Sequence, residues 1–313
     1  MSIPSYEPGS YQPEANGEPL WFMFYKNRIA LLAGADGNLR LPHGEQPLAS
    51  AFPPRLAGDY HGQPCRALLL DSEPGPDYQL TDYRQDTYEL LGEELYALGN
   101  SAKQLCHWEL HSQFCGICGA RTLPATPVSK KCPGCGNEIF PPLSVAILAV
   151  VTKGESILLV RSHNITGLYH VLVSGFAEPG ETLEQCVYRE VLEETGLKVG
   201  NIRYFGSQSW AHPSNLMVGF FADYQSGEIE VQQEELQSAA FFDRPNLPEL
   251  PHRFSIARRM ADWWVECQDK AFAASGKYID GSQITMPAGS GGHPYGAGGH
   301  PHSAAPKPGA AKT

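Results

Sequence analysis

The chain contains no apolar run approaching the roughly 20 residues that a membrane-crossing helix requires. No basic segment near its start leads into a hydrophobic stretch, so no secretory leader is expected. Cationic residues are also scarce: 23 Lys and Arg stand against 34 Asp and Glu, a formal charge of −11 over 313 residues. That balance offers no general attraction to nucleic acid or to an anionic membrane surface. An acidic, globular, cytoplasmic protein with no membrane partner is expected. The eight cysteines are not spaced as a disulfide framework. Four form two close pairs, while Cys65, Cys106, Cys186 and Cys267 stand alone. In a reducing compartment each lone cysteine is expected to be a small buried hydrophobe.

The length allows two modest domains. After an irregular lead-in, "LWFMFYKNRIALLAG" predicts two strands around a polar turn, and "RALLLD" predicts another. The stretch "DTYELLGEELYALGNSAKQLCHWELHSQF" has helical character, with Gly99 and Asn100 as the expected break. Farther on, "SVAILAVVT" and "SILLVR" read as strands around the turn "KGE", and "YHVLVSGF" as a third. "VGFFADYQSGEIEV" and "AAFFDR" suggest two more strands, and "PHRFSIARRMADWWVECQDKAFA" returns to helical spacing. The Gly-, Pro-, Ser- and His-rich end predicts a flexible tail, and adventitious metal binding by His293, His300 and His302 is a lesser reading of it.

Cys115 and Cys118 ("CGIC") precede Cys132 and Cys135 ("CPGC") by a short connection. Each turn can present two thiolates, and two such turns complete a tetrahedral sulfur shell for one zinc per chain. A redox dithiol would need only one pair, normally at a helix N-terminus. Four protein ligands leave no position for substrate or water, so this zinc is expected to staple structure together. Only Arg121, Lys130 and Lys131 lie between the pairs, a thin basic supply for nucleic acid.

The segment "GFAEPGETLEQCVYREVLEETGL" is crowded with glutamates. A helix from about Thr182 to Glu194 would bury Leu183, Val187 and Val191 as a stripe and gather Glu190, Glu193 and Glu194 on a neighbouring face. Gly175 and Gly180 would permit a sharp approach, with Thr182 as the cap. Clustered carboxylates suit magnesium or manganese rather than zinc. A solvated charged face explains the composition equally well.

The order of the residues adds a further indication. Gly175, then Glu181, then Arg189, Glu190 and Val191, Glu193 and Glu194, Gly196 and Leu197 fall at the fixed positions of the Nudix box. The segment resembles the Nudix hydrolases. Downstream, Ser207, Gln208, Trp210 and Pro213 in "GSQSWAHPSNLM" resemble the SQPWPFP signature of the NADH pyrophosphatase branch. That branch also carries a four-cysteine ribbon and a separate N-terminal domain.

The resemblance implies an α/β protein: a Nudix αβα sandwich with a mixed sheet at 141–270, a zinc ribbon at 112–140, a small N-terminal α/β domain at 1–111 and a tail at 271–313. It implies an NAD(+) diphosphatase that hydrolyses NADH or NAD+ to NMNH or NMN plus AMP by direct attack of water. Removal of NAD caps from RNA occurs in the same branch. Glu190, Glu193, Glu194 and Glu235 would hold catalytic magnesium or manganese, and Arg189 would keep the carboxylates in position. Phe140 and Phe176 would flank a substrate base, although residue type alone makes both ordinary core residues. Gln208, Trp210 and Ala257 would meet the dinucleotide. A homodimer is implied, and one of Trp263 and Trp264 would suit its interface. Ser209, Ala211 and His212 stand where the branch has proline, proline and phenylalanine, and His212 reads equally as a satisfied loop histidine. These departures keep a second reading open, a Nudix hydrolase for ADP-ribose, FAD or another dinucleotide. A third reading is a catalytically silent zinc-ribbon binding protein.

Overall fold

The computed structural model describes residues 17–34, 37–163, 167 and 169–266. The lead-in, Cys267 and the tail with its three histidines lie outside them. The described residues fall into two compact units. One lies within Met1–Ala146, Gly206–Val218 and His252–Asp262, the other within Ile147–Phe205, Gly219–Pro251 and Trp263–Thr313.

The first unit opens with the expected hairpin, β1 (Leu20–Tyr25) and β2 (Arg28–Ala33), in antiparallel register with Met23 opposite Ala30. Four further strands complete this sheet: β3 (Leu39–Arg40), β4 (Arg55–Tyr60), β5 (Gln63–Leu70) and β6 (Tyr78–Asp82). Their order is β3-β2-β1-β5-β4, with β6 also paired to β2, and β1 runs parallel to β5. Alternation along β1 divides its apolar residues between two faces. Phe22 and Phe24 join Ile29, Leu31, Tyr96, Leu105 and Trp108 in the larger core. Trp21 and Met23 join Ala30, Leu68 and Leu70 in a smaller one.

Helix α1 (Gln85–His111) is interrupted at Gly92, where φ 75° and ψ 172° leave helical geometry. The break does not occur at Gly99 and Asn100. Gly99 stays helical because Tyr83 crosses over it, and a Cβ there would collide with the tyrosine hydroxyl. That hydroxyl donates to the Tyr96 carbonyl at 2.5 Å. The glycine therefore serves close approach rather than a turn.

Beyond α1 the chain forms a three-stranded ribbon, β7 (Leu123–Thr126), β8 (Ser129–Lys131) and β9 (Glu138–Ile139). Lys130 on β8 is buried and ion-paired to Glu109 of α1 at 2.6 Å, so it adds nothing to a nucleic-acid surface. Arg55 of β4 donates its Nε–H to the same carboxylate at 2.9 Å. Both cations lie against the Trp108 ring. One buried carboxylate is thus the shared partner of two buried cations, and its removal leaves both without it. Glu109→Gln is expected to cost about 3 kcal/mol of stability; an unchanged midpoint in urea denaturation would refute the dependence.

In the second sheet, β10 (Ser144–Lys153) and β11 (Ser156–Ser162) form the expected pair, and β12 (Val173–Phe176) lies beside β10. Every position from Ala146 to Val151 is buried, which requires cover on both faces. The sheet order is β13-β14-β10-β11-β15, using β13 (Lys198–Trp210), β14 (Asn215–Ser226) and β15 (Leu236–Asp243). Strand β13 was not evident in the sequence, where Gly200, Asn201 and Gly206 interrupt any alternation. Strand β14 stops at Ser226, short of the expected Val231, because Gly227 turns the chain with φ 105°. Two helices complete the fold, α2 (Leu183–Thr195) and α3 (Ile256–Glu266). Trp264 is buried and Trp263 packs edge-on against Phe205 and Phe221, so both tryptophans have neighbours within the chain. Among the described residues no helix is long and apolar enough to cross a membrane.

Candidate active site

The two cysteine pairs lie on matching turns. The Cys115 N–H bonds the Ala120 carbonyl and the Gly119 N–H bonds the Cys115 carbonyl, at 2.8 and 2.9 Å. Cys132, Asn137 and Gly136 repeat the arrangement at the same distances. Gly119 and Gly136 take φ values of 74° and 77°, which explains a glycine after each pair. The turns aim their sulfurs at one another. Cys115 and Cys135 Sγ are 3.6 Å apart, Cys118 and Cys132 Sγ 3.4 Å, and all four lie within 4.8 Å. A tetrahedral zinc with Zn–S near 2.3 Å has sulfur edges of about 3.8 Å, so the cluster has the dimensions of a metal site. The N–H groups of Cys118 and Ile117 pull the Cys115 thiol down to about 6. Cys135 is pushed up to about 12: its contact with Asn137 favours the thiolate, but the neighbouring sulfurs outweigh it.

The second cluster is built on α2. Thr182 Oγ1 accepts the Gln185 N–H at 3.2 Å, and the Gln185 side chain accepts the Thr182 N–H at 2.7 Å, a reciprocal cap. Gly196 closes the helix in the left-handed region, φ 72°, with its N–H on the Leu192 carbonyl. Cys186, Val187 and Val191 are fully buried, whereas Leu183 is only half-buried, so the stripe is shifted toward the cysteine.

Arg189 organises the carboxylates. It bonds both oxygens of Glu181 at 3.0 and 2.7 Å, Glu190 at 2.8 Å, Glu193 at 3.1 Å and the Phe176 carbonyl at 3.0 Å. Burial opposes its charge, but Glu181 and Glu190 raise its pKa further, so it stays cationic. Gly175 serves the same cluster, because a Cβ there would occupy the Glu190 carboxyl group.

Glu194 is outside Arg189's reach. It is 5% exposed, and its Oε2 is buried without a hydrogen-bond partner. Burial, then the charges of Glu190, Glu235 and Glu193, push its pKa up to about 9. Glu190 is raised to about 7 by burial, with Arg189 opposing and Glu193 and Glu235 assisting. The segment of Glu235 is fixed against the helix: the Glu235 carbonyl accepts the His163 N–H at 3.0 Å, and the Gln232 N–H bonds the Glu194 carbonyl at 3.0 Å. The adjacent Glu234 is exposed. Five carboxylates, Glu181 included, with one arginine cannot all ionise cheaply. The orphaned, buried oxygen of Glu194 is what a divalent cation would satisfy, so these residues fit such an ion.

Phe176, in this second unit, is 48% exposed. The remaining candidates belong to the first unit. Phe140 follows the ribbon and is 57% exposed. Gln208 spends its carboxamide on the main chain of Phe254 and Ile256. Trp210 stacks on Phe254, with centroids 5.5 Å apart and planes 6° from parallel. Ala257 lies in the first turn of α3 and is almost buried. Phe254 was overlooked in the sequence because it falls inside a segment read as helix. The helix begins only at Ile256. His212 is a satisfied loop histidine: burial, then Lys103 and Arg84, lower its pKa to about 4, and its ring lies against Trp210.

The NUDIX domain family model matches residues 141–264. Curated relatives carry the name NAD-capped RNA hydrolase NudC. The protein from Pseudomonas aeruginosa (strain LESB58) is 41% identical over 214 residues, 66% of this chain and 75% of that protein. The one from Photobacterium profundum is 47% identical over 179 residues, 56% of this chain and 66% of that protein. The one from Pasteurella multocida is 39% identical over 236 residues, 72% of this chain and 89% of that protein. With the box helix, the four-sulfur cluster and these relatives together, the chain belongs to the Nudix hydrolases, in their NADH pyrophosphatase branch.

Proposed function

We propose that the protein hydrolyses the pyrophosphate bond of NADH or NAD+, giving NMNH or NMN plus AMP, and removes NAD caps from RNA. The observation that carries this reading is Glu194. On the box helix its buried, unpartnered Oε2 lies under the charges of Glu190 and of Glu235, the residue before β15. Glu190, Glu193, Glu194 and Glu235 would hold magnesium or manganese. When bound, such ions supply charge neutralisation at the pyrophosphate and a lowered pKa for attacking water. Arg189 positions Glu190 and Glu193 through direct bonds and needs no contact with substrate. Zinc is the proposed occupant of the four-cysteine cluster. The chain is proposed to act as a cytoplasmic homodimer, and the free buried thiols of Cys65, Cys106 and Cys186 suit a reducing compartment.

One observation favours a second reading, hydrolysis of ADP-ribose, FAD or another dinucleotide. Ser209, inside the altered signature, donates to Gln104 at 3.0 Å, where a proline could donate nothing. The loop is therefore tied differently from the branch pattern. Turnover of NADH, NAD+, ADP-ribose, FAD and NAD-capped RNA with magnesium and manganese decides between the two. Equal or faster hydrolysis of ADP-ribose would replace the first reading by the second.

Phe140 and Phe176 give an independent check on base recognition. Their exposure means that truncation removes little core packing, so Phe140→Ala and Phe176→Ala should leave thermal stability nearly unchanged. Each should weaken NADH binding by about tenfold, within the range for one aromatic stack. Binding of inorganic pyrophosphate, which has no base, should not change. Equal losses for both ligands would mean a disturbed fold instead.

A further inference from the structure

Helix α1 ends on two histidines one turn apart, His107 and His111. Their ring centroids are 4.1 Å apart, with the planes tilted by 37°. His111 Nδ1 lies 2.7 Å from the His107 carbonyl. A carbonyl oxygen only accepts, so Nδ1 carries the proton and the neutral ring keeps its lone pair on Nε2. A main-chain bond at one ring nitrogen is what orients a histidine to ligate through the other. Burial, then His111 and Lys103, lower the His107 pKa, so that ring is neutral near pH 7. Among the described residues the other ring nitrogens of the pair have no hydrogen-bond partner. His111 is exposed and His107 half-buried, so the pair is open to solvent.

We propose that His107 and His111 form a second metal site, a two-imidazole chelate for an exchangeable divalent ion of the zinc, nickel and copper class. Histidines four residues apart share one helix face and can reach a single ion, and imidazole suits these metals. With Zn–N near 2.1 Å, two imidazole centres on one ion stand about 5 Å apart, so the rings need to spread by only about 1 Å. Position favours a cation, because the pair occupies the last turn of α1, at the negative end of the helix dipole. Lys103, one turn earlier, works against it, but its own pKa is lowered to about 8, chiefly by burial. Glu109 adds no ligand, because it is spent on Arg55 and Lys130. Two protein ligands leave the remaining positions to water, so the ion exchanges readily, unlike one closed inside four thiolates. Gel filtration removes it and leaves the ribbon's zinc in place.

The test uses the full chain with its ribbon zinc-filled and magnesium in excess to occupy the carboxylate cluster. His293, His300 and His302 are changed to alanine in this parent, so that the tail cannot compete. Zinc added in a calorimetric titration should bind as one further equivalent per chain. His111→Gln and His107→Gln should each weaken that step by at least about tenfold, since a single imidazole lacks the advantage of a linked pair. His111→Gln changes an exposed side chain, so its urea midpoint without added zinc should match the parent. Added zinc should raise the melting temperature of the parent and of neither variant. Absence of the further equivalent overturns the proposal. So does an equivalent that His111→Gln retains at the parent affinity, because the ion would then sit elsewhere.

Discussion

Replacement of Glu194 by glutamine is expected to lower dinucleotide turnover about a thousandfold while making the metal-free protein more stable at alkaline pH. The two effects have one cause. Glutamine keeps the volume and the helix preference but removes the charge a divalent cation would meet. In the metal-free state that charge is a liability, because burial and three neighbouring carboxylates push the Glu194 pKa up to about 9 from an ordinary 4.5. The unfolded chain releases this proton near pH 4.5 and the folded chain retains it. The stability contributed by the group is therefore whole below pH 4.5 and lost as pH rises toward 9. At pH 8 the variant should exceed the metal-free parent by on the order of 2–3 kcal/mol. Magnesium should then restore stability to the parent and not to the variant. Glu184→Gln, on the same helix but without contacts to the carboxylate group, serves as the control and should leave turnover and the pH profile alone. Near-parent turnover by Glu194→Gln at limiting magnesium would remove this helix from the chemistry. Catalysis would then have to lie elsewhere in the chain, and a parent without turnover would instead leave the silent-protein reading.

This site was legible in sequence to an uneven degree, for physical reasons. The box helix could be read because capping, helical spacing and carboxylate placement all act within a short segment, and Thr182, Gly196 and Val187 each behave as local rules require. The distribution of charge within it could not. Nothing in the string distinguishes Glu193, whose side chain is 46% exposed, from Glu194, which is buried and unpartnered. That difference comes from strand β12 and the Glu235 segment packing over one side of the helix. Gly99 misled for a related reason. A glycine in a helical pattern usually signals a break, yet here it makes room for Tyr83, which approaches from the preceding strand's end. Gln208 and Phe254 show the limit most clearly. Their bond joins positions 46 residues apart, and no local pattern carries such a partnership.

The other large effect is expected at the ribbon, where Cys132→Ala should remove the metal and melt β7–β9. The ribbon has almost no core of its own to fall back on. Its strands span four, three and two residues. Phe114, Ile117, Leu123 and Val128 are exposed instead of packed inside it. A module of this size without a hydrophobic centre needs a covalent or metal cross-link. Binding of structural zinc by small peptides is worth about 10–16 kcal/mol, and it counts as folding energy where the free site is unformed. Part of the ribbon is independently anchored by the Lys130–Glu109 pair, so the loss should be smaller than in a free peptide but still at least about 3 kcal/mol. Metal analysis should find one zinc per parent chain and almost none in the variant. Thermal unfolding should show a low-temperature step that the parent acquires only after its zinc is stripped by a chelator. Magnesium should not reverse that step, because a hard cation has little affinity for four thiolates. A zinc-free parent that melts as a single transition at the original temperature would refute the staple and leave the four sulfurs without a structural role.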